Sequence, residues 1–210
     1  MSAPSNLDPA YEKARHALRL SDPRAIAARA DVLYRESDGK CGVFAIRYFD
    51  RRYEVAYPDG TVAEADSAKE ASVFTQILLL HYLTTADGTP LRGEWVTFRQ
   101  LPNGLMYERA FRARSLDPLA ARFGSDADRF AAAAQRTGGE PARLGDRSFL
   151  FRALPRLPLL CVLWLGDEEM PAEANILFDA SAGRYLPTED LAAVGGALSG
   201  RLLRAAAAPV

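Results

Sequence analysis

The sequence holds few of the residues that most protein chemistry relies on. It has two cysteines, Cys41 and Cys161, and two histidines, His16 and His81. The cysteines lie far apart and outside any Cys-x-x-Cys pattern, so no zinc or iron–sulfur site can be built from them alone. Both sit in apolar runs and read as buried, inert thiols. A single disulfide is the other reading, one that a chain of 210 residues does not need. Lysine occurs only at Lys13, Lys40 and Lys69, and the arginines are scattered. The net charge of -1 gives no basic excess with which to neutralise phosphates, which excludes nucleic acid and anionic membrane surfaces as partners. The longest apolar runs, 77–80 and 157–165, fall far short of the ~20 residues of a membrane span. Met1 to Asn6 show no basic cluster followed by an apolar stretch, so the expectation is a soluble, cytoplasmic protein without a secretory signal. Phosphate loops, dinucleotide fingerprints, nucleophile elbows and His-Glu-x-x-His motifs are all missing.

What is present is ordinary globular material, 49% hydrophobic and 25% charged. Asp8-Pro9 and Asp22-Pro23 are helix starts, predicting helices over 8–20 and 22–35. Residues 43–49, 52–57 and 61–65 are short β-rich runs separated by Asp50-Arg51 and Pro58-Asp59-Gly60, and they read as a three-stranded antiparallel meander. Ser67-Ala68-Lys69-Glu70 has the form of a capping box opening a strongly apolar helix over 68–86. Strands are expected over 94–98, 148–154, 159–165 and 175–178. Short helices are expected after Asp117-Pro118 and Ser125, and a last helix is capped by Thr188. Helices and strands do not alternate one for one. The fold class is therefore α+β, a mainly antiparallel sheet packed with helices in a single domain, with 1–36 as a helical segment packing on a domain of 37–210.

Two segments could carry chemistry. Trp164-Leu165-Gly166-Asp167-Glu168-Glu169-Met170-Pro171 sets three carboxylates directly after an apolar strand, where short loops are aimed by a rigid element. Such carboxylates can hold a divalent cation or act as a general acid, and Asp179 at the end of the partner strand could face the same site. The competing reading is a solvated hairpin loop. Gly93-Glu94-Trp95-Val96-Thr97-Phe98 would suit the wall of an apolar pocket with one polar group, and core packing of Trp95 and Phe98 explains it equally. Tyr107 and Tyr185 add hydroxyls that could line a cleft. His81, on the most apolar helix, could be an axial ligand, a proton shuttle or a core histidine bonded to a carbonyl or carboxylate.

The succession Leu78-Leu79-Leu80-His81-Tyr82-Leu83, 93–98, 164–171, Ile176-Leu177-Phe178-Asp179 and Leu186-Pro187-Thr188-Glu189-Asp190 resembles an uncharacterised prokaryotic family, the domain of unknown function 3786. The resemblance runs from about Asp31 to Leu203. It implies an accessory role beside a metallocofactor enzyme of anaerobic metabolism, since some relatives resemble fusions to a cysteine-rich iron–sulfur motif. That motif is missing from this chain. No catalytic residue can be carried over, and no cofactor or metal is assigned.

Three function classes follow. The first is a small-ligand or cofactor-binding accessory protein using Trp95, Phe98, Tyr107, Trp164, Asp167, Glu168, Asp179 and His81. The second is a protein-interaction module. The third is a carboxylate-based or metal-assisted enzyme. A partner could be a small molecule or a protein of a metallocofactor system.

Overall fold

Residues 8–37 and 41–207 are described by the computed structural model of the chain. Asp38, Gly39, Lys40 and Met1 to Asn6 lie outside the described residues. So do the last three positions of the expected C-terminal tail.

The first helix, α1 (Asp8–Arg19), is followed by α2 (Pro23–Ala30). The Asp22 carboxylate caps α2 by accepting the Ala25 N–H at 2.7 Å, and Pro23 occupies the first turn, where its missing N–H costs nothing. The sequence carries this helix to Arg35, whereas the structure ends it at Ala30. Asp31 turns left-handed at φ 56°, which stops the helix, and the chain leaves as strand β1 (Leu33–Glu36). Strands β2 (Gly42–Tyr48), β3 (Arg51–Tyr57) and β4 (Val62–Glu64) complete an antiparallel sheet of order β1-β2-β3-β4. The expected meander is present with one more strand. Gly42 is needed here because the ring of Tyr34 lies across it: a Cβ at this position would sit 2.3 Å from the Tyr34 hydroxyl.

Ser67 and Glu70 do not cap the next helix. Ser67 donates its hydroxyl to Glu64 at 2.9 Å, and Glu70 forms an antiparallel bridge to Ala63, so the chain is still sheet-bound there. Helix α3 (Val73–Thr85) starts later, with Ser72 accepting the Thr75 N–H at 3.2 Å. Its buried face includes Ile77 to Leu80, Tyr82 and Leu83, and it packs against α1 and α2. The Tyr82 hydroxyl donates to the Ala30 carbonyl at 2.8 Å and accepts the Arg156 N–H at 2.9 Å, and its ring stacks on Tyr185.

The chain divides into two compact units. The first takes residues to Pro90 with Leu154–Arg156 and Arg184–Pro187, and the second takes the rest. In the second unit lie β5 (Trp95–Thr97), a 3₁₀ turn (Phe98–Gln100), α4 (Gly104–Phe111), α5 (Asp117–Phe123) and α6 (Ala127–Arg136). They are followed by β6 (Glu140–Ala142), β7 (Arg147–Leu154), β8 (Leu157–Trp164), β9 (Glu173–Asp179) and α7 (Thr188–Ala207). Helices α4 and α5 are one continuous rod joined by a π-helical turn, Arg112–Leu116. Pro118 explains that turn, because its ring would meet the carbonyl four residues back in a regular α-helix. Helix α6 is capped by Asp126, which accepts the Arg129 N–H at 2.9 Å, in place of Ser125.

The second sheet has the order β5-β9-β8-β7-β6 and is antiparallel. One face carries Val96, Phe178, Ile176, Leu159, Cys161 and Leu163 and packs on the helices. Phe98, Phe111 and Phe178 cluster there, with the first two rings stacked at 4.2 Å between centroids. Helix α7 approaches closely at Gly195, where a Cβ would lie 2.6 Å from the Phe111 ring. The fold class is α+β, as the sequence pattern indicates.

Candidate functional site

Strand register fixes where the sequence candidates of the second sheet stand. Trp95 pairs with Asp179, and Trp164 pairs with Glu173 on the same central strand, β9. Side chains paired directly across antiparallel strands share a face, and residues two apart along a strand do too. Trp95, Asp179 and Trp164 therefore occupy one face, together with Leu160, Val162 and Leu177. The six-residue step from Glu173 to Asp179 nevertheless sets the two tryptophans at opposite ends of the sheet, about 20 Å apart along the strand. They do not share a pocket.

At one end, Trp95 is half-buried on the cluster of Leu160, Val162 and Leu177. Beside it the Asp179 carboxylate is buried and fully engaged. Oδ1 accepts the Arg92 N–H at 3.0 Å, the Ser181 N–H at 2.9 Å and the Ser181 hydroxyl at 2.6 Å, and Oδ2 accepts the Gly93 N–H at 2.7 Å. Burial pushes its pKa up, but the hydrogen bonds from Ser181, Arg92 and Gly93 outweigh it and hold the carboxyl below the ordinary range. Such a group is a latch between β9 and the segment before β5, with little capacity for proton transfer. Phe98, at 2% exposure, belongs to the aromatic core on the opposite face.

At the other end, Asp167 and Glu168 are exposed. Asp167 Oδ1 accepts the N–H groups of Glu169 (2.9 Å) and Met170 (2.8 Å), and its own N–H reaches the Met170 carbonyl. These bonds lower the carboxyl's pKa and make a self-contained turn. Asp167 and Glu168 stand a sheet's length from Asp179. Among the described residues no group of three or more His, Cys, Asp or Glu side chains could hold a metal ion.

The other candidates stand elsewhere. Tyr107 on α4 donates to Glu189 at 2.7 Å, and that bond raises the phenol's pKa. His81 is half-buried on α3 in the first unit, less enclosed than the leucines beside it. Tyr185 is buried in the same unit, where it donates to the Thr89 carbonyl.

Residues 143–147 read as a plain loop in the sequence, and there the structure has a depression. About 750 Å³ lies between α6 (Ala131, Gln135) and the β6–β7 connection, with Arg143, Leu144, Asp146, Arg147 and Ser148 among its lining. That volume is in the range of small-ligand sites. The connection is held at several points. Ser148 Oγ accepts the Leu144 N–H at 2.9 Å, the Asp146 N–H reaches the Leu163 carbonyl at 3.0 Å, and Asp146 Oδ2 accepts the Leu165 N–H at 2.7 Å. Gly145 (φ 61°) passes so close to β8 that a Cβ would lie 2.7 Å from Val162 and 3.2 Å from the Trp164 indole. The loop is thus cast against the end of β8.

Both arginines of this loop lack an acidic partner among the described residues. Arg147 donates to the Asp146 carbonyl at 3.1 Å, and among the described residues the Arg143 guanidinium forms no hydrogen bond or ion pair. Arg15, Arg24, Arg35, Arg51 and Arg52 meet carboxylates, whereas Arg143 and Arg147 share their lack of an ion pair among the described residues with Arg19, Arg92 and Arg109. The model of the domain of unknown function DUF3786 matches residues 22–201. The chain belongs to that family. No curated protein and no solved structure matches it. The only sequence trace of the depression is an Arg143–Arg147 spacing around Gly145-Asp146, a weak signal because nothing in it states that the guanidinium groups stay unpaired.

Proposed function

We propose that the chain is a small-ligand-binding accessory protein whose ligand carries a carboxylate or phosphate group, and that the ligand is held in the depression beside α6. One observation carries this reading: Arg143 and Arg147 line a depression of about 750 Å³ and form no ion pair among the described residues, the Asp146 carboxylate beside them accepting the Leu165 N–H instead. Guanidinium groups offer several donors in a fixed plane and bind such anions by charge-assisted hydrogen bonds. Ala142, Leu144 and Phe149 give the ligand's apolar part a wall. Among the described residues no helix is long and apolar enough to cross a membrane, and a cytoplasmic location is part of the proposal. So is a role beside a metallocofactor enzyme.

Thermal unfolding in the presence of inorganic phosphate or citrate tests it. A ligand that binds only the folded state raises the midpoint by mass action. The proposal expects a rise for the wild type that the Arg143→Ala, Arg147→Ala variant loses. An equal rise in both would overturn it.

A second reading, docking of a protein, has its own support. Leu144, Trp164, Leu165 and Met170, with exposures of 41%, 37%, 38% and 66%, lie on the last residue of β8 and the two loops at the same end of the sheet. The carboxylate-enzyme reading has the least support, because Asp179 is saturated and Asp167 is spent on its own turn.

A further inference from the structure

The end of the second sheet that carries the depression has three zones in a row. The β6–β7 loop and the start of β7 supply Arg143 and Arg147, with Asp146 between them turned to the Leu165 N–H. Leu144, Trp164 and Leu165 lie next to this pair, joined by the close approach of Gly145, where a Cβ would lie 3.2 Å from the indole, and by the bond from Leu165 to Asp146. The β8–β9 loop then supplies Asp167, Glu168, Glu169 and Met170. The strand order places these zones in that sequence across the sheet, because β6 and β7 lie on one side of β8 and β9 on the other. Glu168 and Glu169 meet no cation among the described residues, just as Arg143 meets no carboxylate.

A positive flank, an apolar centre and a negative flank form a surface complementary to itself under two-fold rotation. We propose that this surface docks a second copy of the chain, with the Glu168–Glu169 turn of each copy set against Arg143 and Arg147 of the other and Trp164 and Leu165 covered between them. The proposal rests on the reading that these arginines receive an anionic group, and it makes a small anion and the second copy competitors for them. The turn is suited to the task because Asp167 fixes its backbone and leaves the two glutamates outward. The sheet edges are poor alternatives: β6 contains Pro141, which has no N–H to offer a new strand, and β5 is three residues long.

The test is sedimentation equilibrium of the full chain and two charge-reversed variants, Arg143→Glu with Arg147→Glu and Glu168→Lys with Glu169→Lys, alone and mixed. Far-UV circular dichroism confirms that each is folded. The expected result is a wild-type dimer, self-association weakened about tenfold or more in each variant by like charges, and a dimer restored in the equimolar mixture. A monomeric wild type, or a dimer indifferent to both reversals, would overturn the proposal. The lysine variant retains both arginines, so phosphate binding to it tests the ligand reading separately: binding without dimerisation leaves that reading standing and removes this one.

Discussion

Asp146 Oδ2 accepts the backbone N–H of Leu165 at 2.7 Å, which ties the arginine-bearing loop to the strand end that carries Trp164. The arginines are held in place by this bond and by that of Ser148 to Leu144. Replacing Asp146 by Ala frees the loop while leaving both guanidinium groups. Amide exchange at Leu165 is expected to rise about tenfold, the worth of one ordinary hydrogen bond. Hydrogen exchange read by NMR checks it, and unchanged exchange at Leu165 would contradict the assigned role.

The Asp179 latch carries a pH dependence of fixed sign. Its folded pKa is depressed, so its stabilisation is complete above the unfolded value of about 3.9 and is lost as pH falls through the folded value. Asp179→Ala strands the N–H groups of Arg92, Gly93 and Ser181 and is expected to cost about 3 kcal/mol in denaturant unfolding. Asp179→Asn should flatten the loss of stability at acid pH relative to the wild type.

The two thiols should behave differently. Burial pushes the Cys161 thiol up to about 12, whereas Cys41 is exposed. An aromatic disulfide reagent at neutral pH should therefore titrate one thiol in the folded protein and two after denaturation. Two rapid equivalents in the native state would contradict the packing of β8.

Tyr82 joins the carbonyl of Ala30 and the N–H of Arg156 through one buried hydroxyl, and burial raises its pKa. Tyr82→Phe leaves both backbone groups without that partner. It should lower stability by roughly 1–3 kcal/mol in urea unfolding.

The sequence made local elements legible wherever the deciding contacts are local. Asp22-Pro23 starts α2, the 42–64 strands fall close to their expected limits, and the apolar character of α3 and β8 is read correctly. It failed where a competing contact or a backbone turn overrode the local signal. Ser67 looks like a helix cap until Glu64 claims its hydroxyl. Asp31 ends α2 by a left-handed backbone that no residue spacing announces. The candidate site fared less well for the same reason. Asp167 and Asp179 look like one carboxylate group because their strands pair, yet the length of β9 separates them. Whether an arginine is paired is a tertiary fact, and Arg143 and Arg147 draw notice only once the structure sets both beside one depression.

The central claim is that Arg143 and Arg147 form an anion site, and a phosphate titration followed by ¹⁵N NMR tests it most directly. The expected result is saturable shifts confined to residues 131–149 and the neighbouring end of β8, lost in Arg143→Ala, Arg147→Ala and retained in Asp167→Ala. Shifts that survive the arginine substitutions, or none at all in the wild type, would contradict it.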